Sequence, residues 1–436
     1  MTRDVRRPLP LDLPAVEQVA RMPAGFVAGA VAAGIKASGR LDLGVLAAVD
    51  RQPLPVAGVF TTNRMRAAPV ELSAANLAAS EPSGSGHWGR AAAVLSTSGC
   101  ANAATGVDGD HDQAGLMEGL ASLLGVPPVE VLAISTGLIG TRLPVDRLRQ
   151  PLRELVDHGL ADTDDALLAL AEQMCTTDTR AKSASVSLEL PGADGGPRAV
   201  GVSGIAKGVG MIHPRMATML SIVLTDAALE PWLLYEMLLP AVMRTWNQLT
   251  VDGDTSTNDT VLLIASGASG AAPLHAGSPE HDRLKSSVQA VARSLARQQA
   301  ADGEGATTLI TCQVSGARDD TEARAAARAV VASSLVKAAV HGRDPNWGRM
   351  AAALGNAEVE GRPVSLRHEQ LEIAIAGTPV FAGQPLDFDR AAVARAMDAA
   401  ELLIRADLAA GGDGIGEAFG CDLSERYVVE NSAYST

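Results

Sequence analysis

The sequence predicts an α+β protein built in layers. Short apolar runs bounded by turn residues mix with helix-length stretches along both halves of the chain, without the regular strand–helix–strand spacing of a doubly wound parallel sheet. At 47% apolar and 20% charged, the 436 residues are globular in composition and numerous enough for two or three lobes. Aromatics make up only 3%, so the core has to be assembled from Ala, Val, Leu and Ile.

The elements follow in order. Residues 1–22 read as a poorly ordered leader, because Asp12 and several prolines interrupt its apolar stretches. From residue 25 to about residue 70, short apolar runs such as 56–62 read as strands. Residues 80–86 are a loop by composition. A buried strand over 91–95 leads into a small-residue turn over 96–106. Residues 111–125 are helix-like, and 131–134 form a short buried strand ending at Ser135-Thr136-Gly137. Helices follow near 145–158 and 163–175, the second with Asp164 and Asp165 in its first turn, where the helix dipole favours acids. Val186, Leu188 and Leu190 alternate with polar residues, and 192–197 turn the chain back as a hairpin towards Lys207. Residues 220–224 are a buried strand. Helices are expected near 229–247, 280–300 and 320–330. Residues 370–380 alternate again, 390–402 read as helix, and the end reads as strand-like.

Charge and composition exclude several functions. A net charge of −14 and a pI near 5.1 argue against nucleic-acid binding, which calls for a basic face. Arg6-Arg7 precede no continuous apolar region, so no secretory signal is expected, and no window approaches the ~18 apolar residues of a membrane span. Cys100, Cys175, Cys312 and Cys421 form neither a disulfide framework nor a CxxC pair. Together these point to a cytoplasmic protein with no membrane or nucleic-acid partner. The histidines show no metal-ligand spacing and HExxH is absent, so no metal is expected. GxSxG and the P-loop pattern are absent too.

The run from Lys207 to Leu220 is the most informative segment. Two glycines, Gly208 and Gly210, give it conformational freedom. Ala217 puts no bulk beside its own carbonyl, and Thr218 supplies a hydroxyl. If the Ala217–Thr218 bond breaks, the freed α-amine, of pKa about 7.7–8.0, can act as base for the hydroxyl of the same threonine. The plain alternative is an Ala-Thr pair entering a strand. Backbone N–H groups at Thr136-Gly137 can converge on a developing oxyanion, or the turn is an ordinary one. The hydroxyls of 176–179 can hold a carboxylate or cap the next element. Residues 252–259 resemble a calcium loop but lack its glycine at the sixth position and its glutamate at the twelfth, which leaves a hydrogen-bonded loop near the site. Glu304, between Gly303 and Gly305, suits a cationic amine or is an exposed acid at a helix end. Residues 344–349, with Trp347, form an unusual turn.

Taken together, these segments resemble the ornithine acetyltransferase family, also called glutamate N-acetyltransferase. The resemblance rests on Gly58-Val59-Phe60-Thr61-Thr62-Asn63, Ser98-Gly99-Cys100-Ala101-Asn102-Ala103, Ser135-Thr136-Gly137, and the stretches 176–179, 207–220, 250–261, 302–307 and 344–349. The tail matches too, from Gly420-Cys421-Asp422-Leu423 through Asn431 to Thr436. All occur in family order. The resemblance implies an N-terminal-nucleophile-like sandwich of the DmpA/ornithine acetyltransferase superfamily. It implies self-cleavage into an α chain ending at Ala217, with 23–217 carrying the oxyanion hole and cleavage site, and a β chain over 218–436. Two copies of each would assemble as α2β2. The implied reaction is ping-pong: Thr218 takes acetyl from N2-acetyl-L-ornithine and passes it to L-glutamate. Thr136 and Gly137 match the oxyanion pair. Thr176, Lys207, Thr218, Glu304, Asn431 and Thr436 match substrate contacts. No cofactor is required, with acetyl-CoA an alternative donor.

The chain departs from the family pattern at Arg215 and Cys100, where asparagine is usual, and at Thr308, where lysine is usual. The departures leave open a transferase of specialised metabolism with a different donor or acceptor. An amidohydrolase or aminopeptidase using the same nucleophile, and a non-catalytic binding protein, are the other readings.

Overall fold

The computed structural model describes residues 5, 9, 11–81, 86–213 and 219–433. Two sheets lie face to face at its centre. The first orders its four strands as Phe26–Val31, Leu43–Ala48, Ala93–Cys100 and Val131–Leu138, with the last pair parallel. The second orders six strands as Trp88–Ala91, Leu54–Phe60, Thr260–Ala265, Leu220–Thr225, Pro197–Lys207 and Lys182–Pro191.

The period-two alternation of strands explains the layering. Leu220, Ile222 and Leu224 enter the core between the sheets, with Leu132, Ile134, Leu262 and Ile264. Val223, Val261 and Leu263 face the other way, against the helices Pro231–Arg244 and Pro279–Ala301. Strands buried on both faces read as unbroken apolar runs, which is why 220–224 is legible in the sequence. The outer face of the first sheet, with Leu43, Val45, Leu95 and Val131, packs on Leu116, Leu120, Leu148 and Leu152 of the helices Gly106–Leu124 and Val145–Glu154. The order is therefore helix, sheet, sheet, helix, as the layered α+β expectation requires.

A further six-stranded mixed sheet, in the order Leu249–Thr250, Gly414–Cys421, Leu309–Ala317, Glu401–Asp407, Glu372–Ile375 and Thr378–Ala382, has its own aliphatic core. The helices Asp320–Ala332, Ser334–His341, Trp347–Gly355 and Arg390–Ala396 belong to that lobe.

Several expectations are corrected. Residues 11–22 are not loose. Glu17 exchanges backbone hydrogen bonds of 3.0 and 2.8 Å with Ser185, and Met22 N donates to Asp164 at 2.8 Å. Ser185 lies on the edge strand Lys182–Pro191, so the leader covers part of an open sheet edge. Ser96, Thr97 and Ser98 are strand rather than turn, held between Leu43–Ala48 and Val131–Leu138. The helix Ala68–Ser80 has no apolar stripe to announce it, because its buried side includes small residues such as Ala68 and Ser73. Residues 344–349 are a helix start: the Asn346 side chain caps Trp347–Gly355. The segment expected as helix over 390–402 ends at Ala396 and becomes strand at Glu401. The end is strand, as expected, over Gly414–Cys421, but closes on a helix, Glu425–Ala433. Most of the loop expected over 80–86 lies outside the described residues.

Candidate active site

Both central sheets deliver residues to one cavity. The strand Val131–Leu138 brings Thr136 and Gly137. Gly137 has φ +129°, and a β-carbon there would run into the backbone of Gly99 and Cys100. Only glycine lets the two parallel strands close up at this point. The hairpin strand Pro197–Lys207 ends with Lys207, whose Nζ donates to Thr136 Oγ1 at 3.0 Å. The ammonium occupies a lone pair of the threonine hydroxyl and leaves its proton free to donate. Behind this pair, Asn258 Nδ2 donates to Ala101 O at 2.7 Å and to Ser135 Oγ at 2.8 Å, and Ser135 Oγ donates to the same carbonyl at 2.7 Å. A strand end tied in three places is a rigid platform of the kind oxyanion stabilisation needs.

The loop 252–259 forms a side wall. The Asp252 carboxylate accepts from Met211 N at 2.5 Å and Ile212 N at 2.9 Å. Met211 itself is left-handed, at φ 52°. Among the described residues no cluster of His, Cys, Asp or Glu could hold a metal ion.

Glu304 stands on another wall, just past the helix Pro279–Ala301. Its backbone N donates to Val209 O at 2.9 Å, and its carboxylate accepts from Thr177 Oγ1 at 3.0 Å and Asn431 Nδ2 at 2.8 Å. Gly210 is packed so close that a β-carbon would collide with that carboxylate. Asn431 and Tyr427, four apart on the C-terminal helix, share one face and both line the cavity. The cavity volume is about 140 Å³, and Thr136, Gly137, Thr176, Thr177, Lys207 and Glu304 line it with Asp252 and Asp254.

The electrostatics are those of a polar, half-closed cleft. Burial alone would raise the Asp178 carboxyl, but the Lys207 and Lys182 ammonium groups outweigh it and hold it down at about 2. Burial pushes the Asp252 carboxyl up, and the like charge of Asp254 adds to this. Asp259, fully enclosed, is pushed well above the usual carboxylate range by burial. The Tyr427 hydroxyl is raised by burial and by the neighbouring Asp252 and Glu304. A lysine on one wall and carboxylates on the others suit a ligand that carries both a carboxylate and an amine.

Of the residues singled out in the sequence, Thr136, Gly137, Thr176, Lys207, Glu304 and Asn431 all line this cavity. Arg215, Ala217, Thr218 and Thr436 lie outside the described residues. The described chain stops at His213 and resumes at Met219, whose carbonyl accepts from Thr260 N at 2.9 Å, and the strand Leu220–Thr225 starts at once. Cys100 is buried and its thiol donates to Thr141 O at 3.0 Å. Thr308 is buried against the Asp422 carboxylate, to which its N donates at 2.9 Å, and does not line the cavity. Sequence reasoning places the loop 252–259 near the site without singling out Asp252 and Asp254, and it misses Tyr427 as a lining residue and Asp178 behind the wall. Asp252 and Asp254 had a signal in the rejected calcium loop; Tyr427 had one in its four-residue spacing from Asn431.

The fold and the cleft define a layered α+β enzyme with a small polar site for an amino-acid-like ligand. The chain belongs to the ArgJ family, which matches residues 27–436. It is 44% identical over 424 residues to the arginine biosynthesis bifunctional protein ArgJ of a Synechococcus species, covering 95% of this chain and 96% of that one. It is likewise 44% identical over 416 residues to the protein of that name from Thermus thermophilus, covering 95% and 99%. Among solved structures, the arginine biosynthesis bifunctional protein from Bacillus halodurans matches at 37% identity and a TM-score of 0.46, over 49% of this chain and 98% of that chain.

Proposed function

We propose that this chain is the acetyltransferase of arginine biosynthesis that moves acetyl from N2-acetyl-L-ornithine to L-glutamate through an acetyl-enzyme on Thr218. The observation that carries the reading is the convergence of Thr136, Gly137, Lys207 and Glu304 on one cavity. The described chain resumes at Met219, one residue past the proposed nucleophile, and its next residue, Leu220, pairs with Lys207. Cleavage of the Ala217–Thr218 bond frees the amine that activates the Thr218 hydroxyl. The hydroxyl oxygen attacks the acetyl carbonyl, donors at Thr136 and Gly137 meet the oxyanion, and ornithine departs with a proton. Glutamate then attacks the acetyl-enzyme in the reverse sense. Lys207 binds an α-carboxylate and Glu304 an ammonium group.

The reading carries with it an α chain ending at Ala217, a β chain from Thr218 to Thr436, an α2β2 assembly and a cytoplasmic location. No cofactor takes part when N-acetylornithine is the donor; acetyl-CoA is an alternative donor. Among the described residues no helix is long and apolar enough to cross a membrane.

Intact mass after incubation with N-acetylornithine alone tests this. Two chains split at Ala217/Thr218, the β chain heavier by one acetyl group, are expected. Two unmodified chains would redirect the search to another donor.

Lys207→Ala removes both the carboxylate partner and the group that orients Thr136. It should lower kcat/KM by about a hundredfold or more, and unchanged kinetics would remove Lys207 from the site. Glu304→Ala also frees Thr177 and Asn431. It should raise KM for an amine-bearing donor more than for an analogue lacking that amine; equal losses for both would make Glu304 structural only.

A further inference from the structure

We propose that Lys182 is a positioning residue of this site, a buried ammonium that fixes the segments bearing Thr176, Lys207 and Glu304 in one register. The inference rests on the acetyl-transfer reading for its kinetic consequence. Lys182 lies in the edge strand Lys182–Pro191, and its side chain has no exposed surface. Its Nζ donates to Asp178 Oδ1 and to Asp302 Oδ2, each at 2.5 Å. Those carboxylates are themselves 0% and 7% exposed.

Each carboxylate grips a piece of the cavity. Asp178 accepts from Thr176 N at 3.1 Å and from Gly208 N at 2.8 Å, so it holds the threonine loop and the residue after Lys207. Asp302, two residues before Glu304, accepts from Thr179 N at 3.1 Å and from the Thr179 hydroxyl. Among the described residues, Lys182 is the one group that bonds both carboxylates. Without it, two buried carboxylates would face each other with only the Lys207 charge near Asp178 and no ammonium bonded between them, a costly arrangement that would part the segments. Salt screens buried pairs far less than exposed ones, so the register should tolerate high ionic strength. Asp178 and Lys182 precede residue 217 and Asp302 follows it. After the proposed cleavage the ammonium of one chain therefore bonds a carboxylate of the other.

Lys182→Met leaves both buried carboxylates without their bonded ammonium and risks the fold. The test is Asp302→Asn in the full chain, which keeps the Lys182–Asp178 pair. Its KM for N-acetylornithine should rise by about tenfold to a hundredfold, with kcat within about threefold of wild type. Backbone amides of 176–179 and 302–304 should exchange faster with deuterium. Asp302→Glu, which restores the charge, should recover part of the KM. Unchanged KM with unchanged exchange overturns the proposal; so does a loss of folded protein and kcat together at constant KM. Failure of the functional reading is distinguishable, because wild type would then form no acetyl-enzyme while the amide exchange still judges the triad.

Discussion

Thr218→Ala is expected to yield a single uncleaved chain that transfers no acetyl. The alanine removes the hydroxyl needed twice, first to attack the carbonyl of residue 217 and later to carry the acetyl group. Both losses are read in one preparation, by denaturing gel and by intact mass after exposure to N-acetylornithine. Normal two-band processing in this variant would falsify the proposed nucleophile. Thr218→Ser keeps an attacking oxygen and should retain processing at a reduced rate. In a wild type cleaved as proposed, the freed amine would start from an unperturbed pKa of about 7.7–8.0, and only its neutral form can accept the hydroxyl proton. Acetyl-enzyme formation should therefore accelerate as the pH rises through that range and level off above it. A rate already flat well below that range would mean that another base serves the hydroxyl.

What the sequence makes legible follows from what kind of information each feature carries. The run 220–224 was readable because its strand is buried on both faces and shows it as continuous hydrophobicity. The strand through Ser96, Thr97 and Ser98 was not, because its polar side chains are buried by neighbours distant in sequence; Ser98, for instance, bonds the carbonyl of Gln173. The terminal helix Glu425–Ala433 is hard to separate from the strand-like end before it, because Val428 and Val429 favour strands locally. Both are exposed, and the face that matters is set by Tyr427 and Asn431. The site divides in the same way. Thr136, Gly137, Lys207 and Glu304 announce themselves by residue type within short motifs. Lys182 and Asp302 are 120 residues apart, and nothing in local spacing says that one ammonium will meet that carboxylate. Thr308 shows the converse: its motif is local and legible, yet its side chain is buried away from the cavity, so its departure from the family pattern removes no charge there.

Gly137→Ala should be strongly damaging for a single added carbon. Two effects act together. At φ +129° an L-residue is strained whatever its surroundings, and here the added carbon also meets the backbone of Gly99 and Cys100. Backbone cannot rotate aside as a flexible side chain can, so the two parallel strands must separate at their ends. Thr136 is the preceding residue, and its hydroxyl is tied to Lys207 at 3.0 Å, so a shift of even about half an ångström there unsettles the proposed oxyanion donors. The expected loss in kcat is on the order of 10²–10³, the range seen when one oxyanion donor is removed. KM should change less, because Glu304 and Asn431 stand on other elements. Gly140→Ala is the control. That glycine also has a positive φ, at +81°, but nothing lies within 4 Å of the added carbon. It should cost only about 1–2 kcal/mol of backbone strain and leave kcat near wild type. If both variants lose activity equally, intrinsic strain at the strand end is the cause and the close approach to Gly99 is incidental. If Gly137→Ala alone fails, the gap between the two strands is what sets the geometry of the oxyanion donors.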